Sequence, residues 1–243
     1  MPRTKALQSR PNGIGTRRET SLHKALKTRY TGKGGKTEVV HQGFVCDGID
    51  ASGTIIEVQT ANFAAIYQKA ERLSRKEKLV IVYPVIKTCL IEVYDTEEKL
   101  LRQRKSPKKG SAWDIFNELI YAPLLPSLSN LSIELALVDA VEHRIQDGKG
   151  SWRRKGVSIA DRKLLEFHET INLEGIASYT RFIPAELEAD FTVKDLAQTA
   201  NINETTARKA AYVLTRLKLV ERTGKKGRAW LYKRRNPKKR RPR

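Results

Sequence analysis

Long hydrophobic runs are missing from this sequence. No stretch of about 18 apolar residues occurs anywhere in it, which argues against a helical membrane span. The opening MPRTKALQSRPNG is basic but lacks an apolar segment behind its charges, so no secretory signal is expected. Cysteine is almost absent: Cys46 and Cys89 stand alone, without a CxxC pair, and the histidines form no cluster. That pattern argues against a structural zinc site and fits a reducing cytoplasm, or the nucleoid of a prokaryote. Aromatic residues are 7% and scattered, which leaves an RNA-processing factor without the stacking platform that single-strand readers use. Acid is the scarce charge, with 27 Asp and Glu against 47 Lys and Arg, a net +20 over 243 residues. Such an excess calls for a polyanion, and the commonest is nucleic acid. The length allows one large domain or two small ones and leaves a homodimer open.

Residues 1–18 mix Pro, Gly and basic residues without periodicity and read as a flexible basic arm. ETSLHKALKTRY has helical spacing, with Leu22, Ala25, Leu26 and Tyr30 on one face, and TGKGGKT ends it. EVVHQGFVCDGI reads as one long or bent strand with a bulge at Gly43. Asp50-Ala51-Ser52-Gly53 is turn chemistry, and TIIEVQ returns as a second strand. ANFAAIYQKAERLSRKEK is an amphipathic helix, and LVIVYPVI a short apolar strand bounded by Pro84. A hairpin follows, turning at Asp95–Glu98, and then a helix capped by Ser111 and Asp114. The expectation is an α/β (α+β) fold, with order α-β-β-β-α-β over 19–125. Residues 126–183 are a connecting region that periodicity leaves open between strand and helix. Its loop GKGSWRRKG offers Arg153 and Arg154 to a DNA backbone, with Trp152 available to stack or wedge; the alternative is a solvated hairpin tip.

From 184 to 235 the pattern is sharper. Thr192 with Asp195 caps one helix, ANIN turns, Asn203 caps a second, and LVERTGKKGRAWLYK forms a basic hairpin. This stretch resembles a winged helix-turn-helix. The resemblance implies duplex DNA as partner, read by Thr205, Thr206, Arg208 and Lys209 near the start of the second helix, with Lys225, Lys226 and Arg228 of the wing on phosphate or minor groove. The tail 236–243, part of KRRNPKKRRPR, adds salt-sensitive affinity.

One pair of residues does not fit a structural strand. Glu57 sits among Ile55, Ile56 and Val58, and with Asp50 and Thr54 flanking the turn, Asp47 is expected directly across from it on the same face of the hairpin. Two carboxylates facing each other repel, and a divalent cation held by hard oxygens, including the Val58 carbonyl, relieves that repulsion. A shift of register would put Asp50 in that role instead. Asp47 on one strand and Glu57-x-Gln59 on the next, behind a helix bearing Glu19, resembles the PD-(D/E)XK restriction-endonuclease-like nuclease superfamily. The resemblance implies a mixed sheet with flanking helices, Mg²⁺ or Mn²⁺ held by Asp47 and Glu57 with Glu19 as an extra acid, and phosphodiester hydrolysis. Gln59 stands where the family usually has Lys, and Cys46 replaces the motif's Pro; Lys69 on the next helix is the candidate to supply the missing charge. His23 and His41 sit near this site, within reach of a substrate, but such histidines are more often surface or satisfied and are left out of the set. The expected function is metal-dependent DNA cleavage, with a non-catalytic winged-helix regulator as the alternative.

Overall fold

Helix α1, Ser21–Thr31, begins where the chain supplies a cap: the Thr20 side chain accepts the His23 backbone N–H, and Gly32 at φ 65° closes the other end. In the computed structural model, which describes residues 19–235, the basic arm 1–18 and the tail 236–243 lie outside the described residues. The next segment is not one bent strand but a hairpin, β1 (Lys36–His41) and β2 (Phe44–Ile49). Gln42 and Gly43 between them both take positive φ, 48° and 80°, the backbone of a two-residue hairpin turn. Asp50 then turns the chain into β3, Ile55–Val58. Its carboxylate accepts the backbone N–H groups of Ser52 and Thr54, which assigns Asp50 to the turn rather than to a cation. Gly48 pairs with Ile56, the register that sets Asp47 opposite Glu57.

Helix α2 (Phe63–Ser74) buries Phe63, Ile66, Ala70 and Leu73, and leads into β4 (Leu79–Tyr94), parallel to β3. This reproduces the order expected from the sequence up to that point. Strand β4 does not stop at Pro84. The Val82 carbonyl accepts the Gln59 N–H as the last bond to the β3 side, and the Ile86 carbonyl accepts Gly110 on the same flank. Alternation points the Pro84 nitrogen into the gap between them, where no ladder bond is lost.

The region 126–183 is part of the sheet. β6 (Leu131–Gln146) runs parallel to β4 along its whole length, and β7 (Val157–Glu174) returns antiparallel to β6. The main sheet has the order β1-β2-β3-β4-β6-β7, with β5 (Leu100–Lys105) on β4 beyond β3. Both faces of β6 are covered: Ile133 and Leu135 face the core under α2, while Ala136 and Val138 face Leu22 and Leu26 of α1. A strand buried on two sides carries no period-2 signal, so its sequence cannot be told from a buried helix. The helix expected after Ser111 is short: one 3-10 turn, Ala112–Ile115, and α3, Phe116–Leu119, with the Ser111–Asp114 capping box in place.

The C-terminal segment forms β8 (Asp190–Phe191), α4 (Val193–Thr199), α5 (Glu204–Arg216), β9 (Val220–Lys226) and β10 (Ala229–Arg234), its sheet ordered β8-β10-β9. Thr192 and Asp195 make a capping box, and Asn203 accepts the Thr206 N–H. The hairpin turn is Gly227–Arg228, so Lys225 and Lys226 lie on β9 rather than in the turn. Ala207, Ala210, Ala211 and Leu214 join the same core as Phe116 and Ile133. The molecule is thus a mixed α/β fold, a central sheet flanked by helices. No helix among the described residues is long and apolar enough to cross a membrane.

The distal half of the sheet is tied by Glu142, which is 4% exposed. One oxygen accepts the Arg144 Nε at 2.7 Å and the other the Arg162 Nε at 2.7 Å. Burial pushes this carboxyl up, but the bonds and charges of Arg162 and Arg144 outweigh it and hold it below the ordinary value. A depressed carboxyl contributes stability above its unfolded pKa that is lost as pH falls through its folded pKa. Glu142→Gln should therefore cost about 2–3 kcal/mol at neutral pH, at the lower edge for a broken buried pair because Arg162 is partly exposed. In a thermal-melt series the gap between wild type and variant should narrow below about pH 4; a gap constant with pH would rule out the charge as its source.

Candidate metal and nucleic-acid site

The ladder between β2 and β3 opens at Asp47. Its backbone N–H donates to Glu57 Oε1 at 3.3 Å, and its Oδ2 accepts the Val58 N–H at 2.8 Å, so side chains take over where backbone pairing ends. Glu57 is 7% exposed, a buried acid inside a four-residue strand buried throughout. The two acids do not share a face as expected: the ladder ends at Gly48–Ile56, Cys46 enters the core on the α2 side, and Asp47 turns to the α1 side while Glu57 turns to α2, so a different cation reaches each. From α2, the Lys69 ammonium donates to Glu57 Oε1 at 2.5 Å and to the Val45 carbonyl at 2.6 Å. From the first turn of α1, His23 Nε2 stands 2.8 Å from the Val58 carbonyl and 3.4 Å from Asp47 Oδ2. Its other nitrogen, Nδ1, lies 2.8 Å from Glu19, which also takes Lys27 at 2.7 Å.

These contacts order the protonation states. Burial pushes Asp47 up, yet the bond from His23 and then the Val58 N–H hold it below the ordinary carboxylate value. Burial pushes Glu57 up, and the charge and hydrogen bond of Lys69 only partly cancel that. Burial lowers His23, but Asp47 and then Glu19 raise it to about 9, so the ring is a cation at neutral pH. The neighbouring Cys46 thiol is pushed to about 11, mainly by burial, and is no nucleophile. The repulsion between Asp47 and Glu57 is thus offset by His23 and Lys69 in the protein itself. As donors, the two carboxylates and the Val58 carbonyl are all hard oxygens, the set that suits Mg²⁺ or Mn²⁺. One atom, His23 Nε2, already touches two of the three.

The sequence-predicted residues divide accordingly. Asp47, Glu57 and Lys69 come together, and Glu19 joins them through His23. Glu19 stands one residue before the α1 cap instead of on the helix. Gln59 is turned aside, its amide bonded to the Ala61 carbonyl and 3.5 Å from that of Asn62. His23, noted from the sequence but set aside, belongs to the site, whereas His41 pairs instead with Glu77, just past the C-terminal end of α2, at 2.7 Å.

A family model described as a domain of unknown function, DUF8091, matches residues 20–174. The chain belongs to this family. The matched stretch runs from the α1 cap to the last residue of β7, so it takes in every element of the main sheet and the whole Asp47–Glu57–Lys69–His23 group. A protein of Treponema pallidum (strain Nichols), described as an uncharacterized protein, is 32% identical over 224 residues, 92% of this chain and 88% of its own length. That similarity reaches past the DUF8091 stretch into the C-terminal segment. No solved structure matches.

Beyond the acid pair, the basic residues sort by exposure. Thr205, Arg208, Lys225, Lys226 and Arg228 are exposed, as are Arg153 and its neighbour Lys155; Arg154 is half-buried. Two expected base readers are not free on the surface. Thr206 is buried, because it continues the i, i+4 stripe of Ala210 and Leu214. Lys209 donates to Asn117 Oδ1 of α3 at 2.8 Å. The exposed stripe of α5 is therefore Thr205, Arg208, Tyr212 and Arg216. On the wing, Trp230 lies under Arg222 and Lys225, 4.8 and 4.6 Å from its ring centre. A further acid–histidine group, Asp139, Glu166 and His168, lies on β6 and β7. His168 already faces both acids, at 3.2 and 3.7 Å.

Proposed function

We propose that the protein is a metal-dependent DNA endonuclease of the PD-(D/E)XK kind, carried on duplex DNA by a C-terminal winged helix-turn-helix and acting in the cytoplasm. The observation that carries this reading is the buried Glu57 paired with Lys69 of the following helix, next to Asp47, whose Oδ2 takes the Val58 N–H. Asp47 and Glu57 would hold Mg²⁺ or Mn²⁺, which when bound supplies an activated water and a counter-charge for the leaving oxygen. Lys69 brings to Glu57 the positive charge that Gln59 lacks. His23 and Glu19 position Asp47 and the Val58 carbonyl from the α1 side.

The assay is direct: supercoiled plasmid and linear duplex incubated with the full chain, with Mg²⁺, with Mn²⁺ and with chelator. Nicking or linearisation confined to the metal lanes is the expected result. No cutting with either ion would leave the second reading, a DNA-binding regulator with a degenerate nuclease-like domain. The specific observation in its favour is that His23 and Lys69 already neutralise both acids, so the fold is satisfied without an ion.

DNA binding is tested separately. Affinity for duplex should fall steeply with salt as phosphate contacts release counterions. Arg208→Ala should cost about 1–3 kcal/mol on a preferred sequence and less on others, while Lys225→Ala and Lys226→Ala should weaken all sequences alike and flatten the salt slope by about one each. Equal effects from both sets would show that α5 reads no bases.

A further inference from the structure

A cleft of about 390 Å³, lined by none of Asp47, Glu57, His23 or Lys69, runs from Thr20 and Thr60 toward the β6–β7 tip. Its inner end is lined by Thr20 and Thr60, each one residue from Glu19 or Gln59, and its outer part by Lys108, Arg144, Arg154 and Arg162. The lining acids are Asp114, engaged in its capping box, and Glu142, shared between two of those arginines. Four cations against two committed acids make the cleft net positive. Arg144 gives Nε and Nη2, and Arg162 its Nε, to Glu142, which fixes both guanidiniums while leaving the remaining donors, most of them on Arg162, for another anion.

Two properties set the occupant. The volume is on the scale of a small-ligand pocket, roughly 300–1,000 Å³, and so admits single nucleotides in file but not a duplex. Beyond Arg154 stands Trp152, 82% exposed and with the Arg153 guanidinium 5.5 Å from its ring centre. The tip holding it is built: Gly150 N–H donates to the Gly156 carbonyl, and Arg154 Nε to the Val157 carbonyl. Gly150 approaches Val157 so closely that a Cβ would lie 1.9 Å from its carbonyl oxygen. A large aromatic held out in solvent by an ordered basic loop is a stacking surface for a base. The Ser21 side chain anchors α1 to Asp161 of β7. From Asp161 to Val157 at the start of the tip is about 13 Å of strand, close to four nucleotides at duplex spacing.

The geometry points to a duplex–single-strand junction as substrate: DNA whose duplex lies on the winged helix while a single-stranded arm threads this cleft and stacks its last base on Trp152. This rests on the nuclease reading of the Asp47–Glu57 site. It is tested with the full chain in chelator, where nothing is cut, by fluorescence anisotropy on a blunt duplex and on the same duplex carrying a single-stranded overhang. The overhang should bind about tenfold more tightly, and Trp152→Ala should erase that preference while leaving blunt affinity within about twofold. Lys108→Ala, at an exposed loop position, should reduce the preference in the same sense. Equal affinity for both probes, or a Trp152→Ala loss shared by both, overturns the proposal. The two readings fail independently: overhang preference without metal-dependent cutting defeats only the nuclease, and a metal-dependent cutter indifferent to Trp152 defeats only the cleft.

Discussion

Asp47→Asn should lower metal-dependent cleavage by about 10³-fold or more, with Glu57→Gln close behind. A metal-held water and leaving-group charge account for several kcal/mol of transition-state stabilisation, and each 1.36 kcal/mol is tenfold. Duplex affinity should stay the same or rise slightly, because one negative charge is removed from a protein that binds a polyanion. Stability separates this reading from a purely structural pair. Viewed as two facing carboxylates, the amide variants look stabilising. The contacts reverse that: Asp47 takes His23, and Glu57 takes Lys69, so each variant leaves a cation short of its anion. Both should melt below wild type without metal. Adding Mg²⁺ should raise the wild-type Tm, since an ion that binds only the folded state stabilises it once above its Kd, and should move neither variant. An Asp47→Asn protein that cuts at the wild-type rate would end the nuclease proposal.

How much of this was legible follows from the range of each contact. Glu57 announced itself, because an acid inside Ile55-Ile56-x-Val58 violates the pattern of a buried strand. Asp47 followed from the turn at Asp50 by a local count of residues, but the ladder ends at Gly48–Ile56 and the side chain turns to His23 on the other face, which a count cannot foresee. Lys69 could be named because α2 follows β3 directly and helical spacing sets its faces. His23 could not. Its bond to the Val58 carbonyl spans 35 positions, and nothing in SLHKALK separates that ring from a surface histidine. Strands β6 and β7 were obscured for a different reason. Burial on both faces of β6 removes alternation, and β7 keeps mixed polarity as an edge strand. Thr206 was readable and misassigned, since 206, 210 and 214 already form a stripe. Lys209 was not, because Asn117 lies 92 positions away.

Lys69→Met should cost cleavage about 10²–10³-fold, the range of a positioned proton-transfer or charge-stabilising group. It also leaves Glu57 buried without its cation, so Lys69→Arg is the companion that keeps the charge and the fold while changing the donor geometry. With Met, burial is the larger influence left on Glu57, and its carboxyl should rise further. Metal binding should then need a higher pH, which a Mg²⁺-induced Tm shift measured across pH would report. Gln59 decides whether Lys69 fills the family's lysine role. Residues 55, 57 and 59 alternate onto the α2 side of β3, so a lysine at 59 and one at 69 would approach Glu57 from the same face. Gln59→Lys alone should change the rate little, because Lys69 already provides the charge. In the Lys69→Met background it should restore much of the lost activity. That non-additivity, read from a double-mutant cycle, measures the shared role. Additive effects would mean that the two positions act separately, and that Lys69 serves only to neutralise a buried acid.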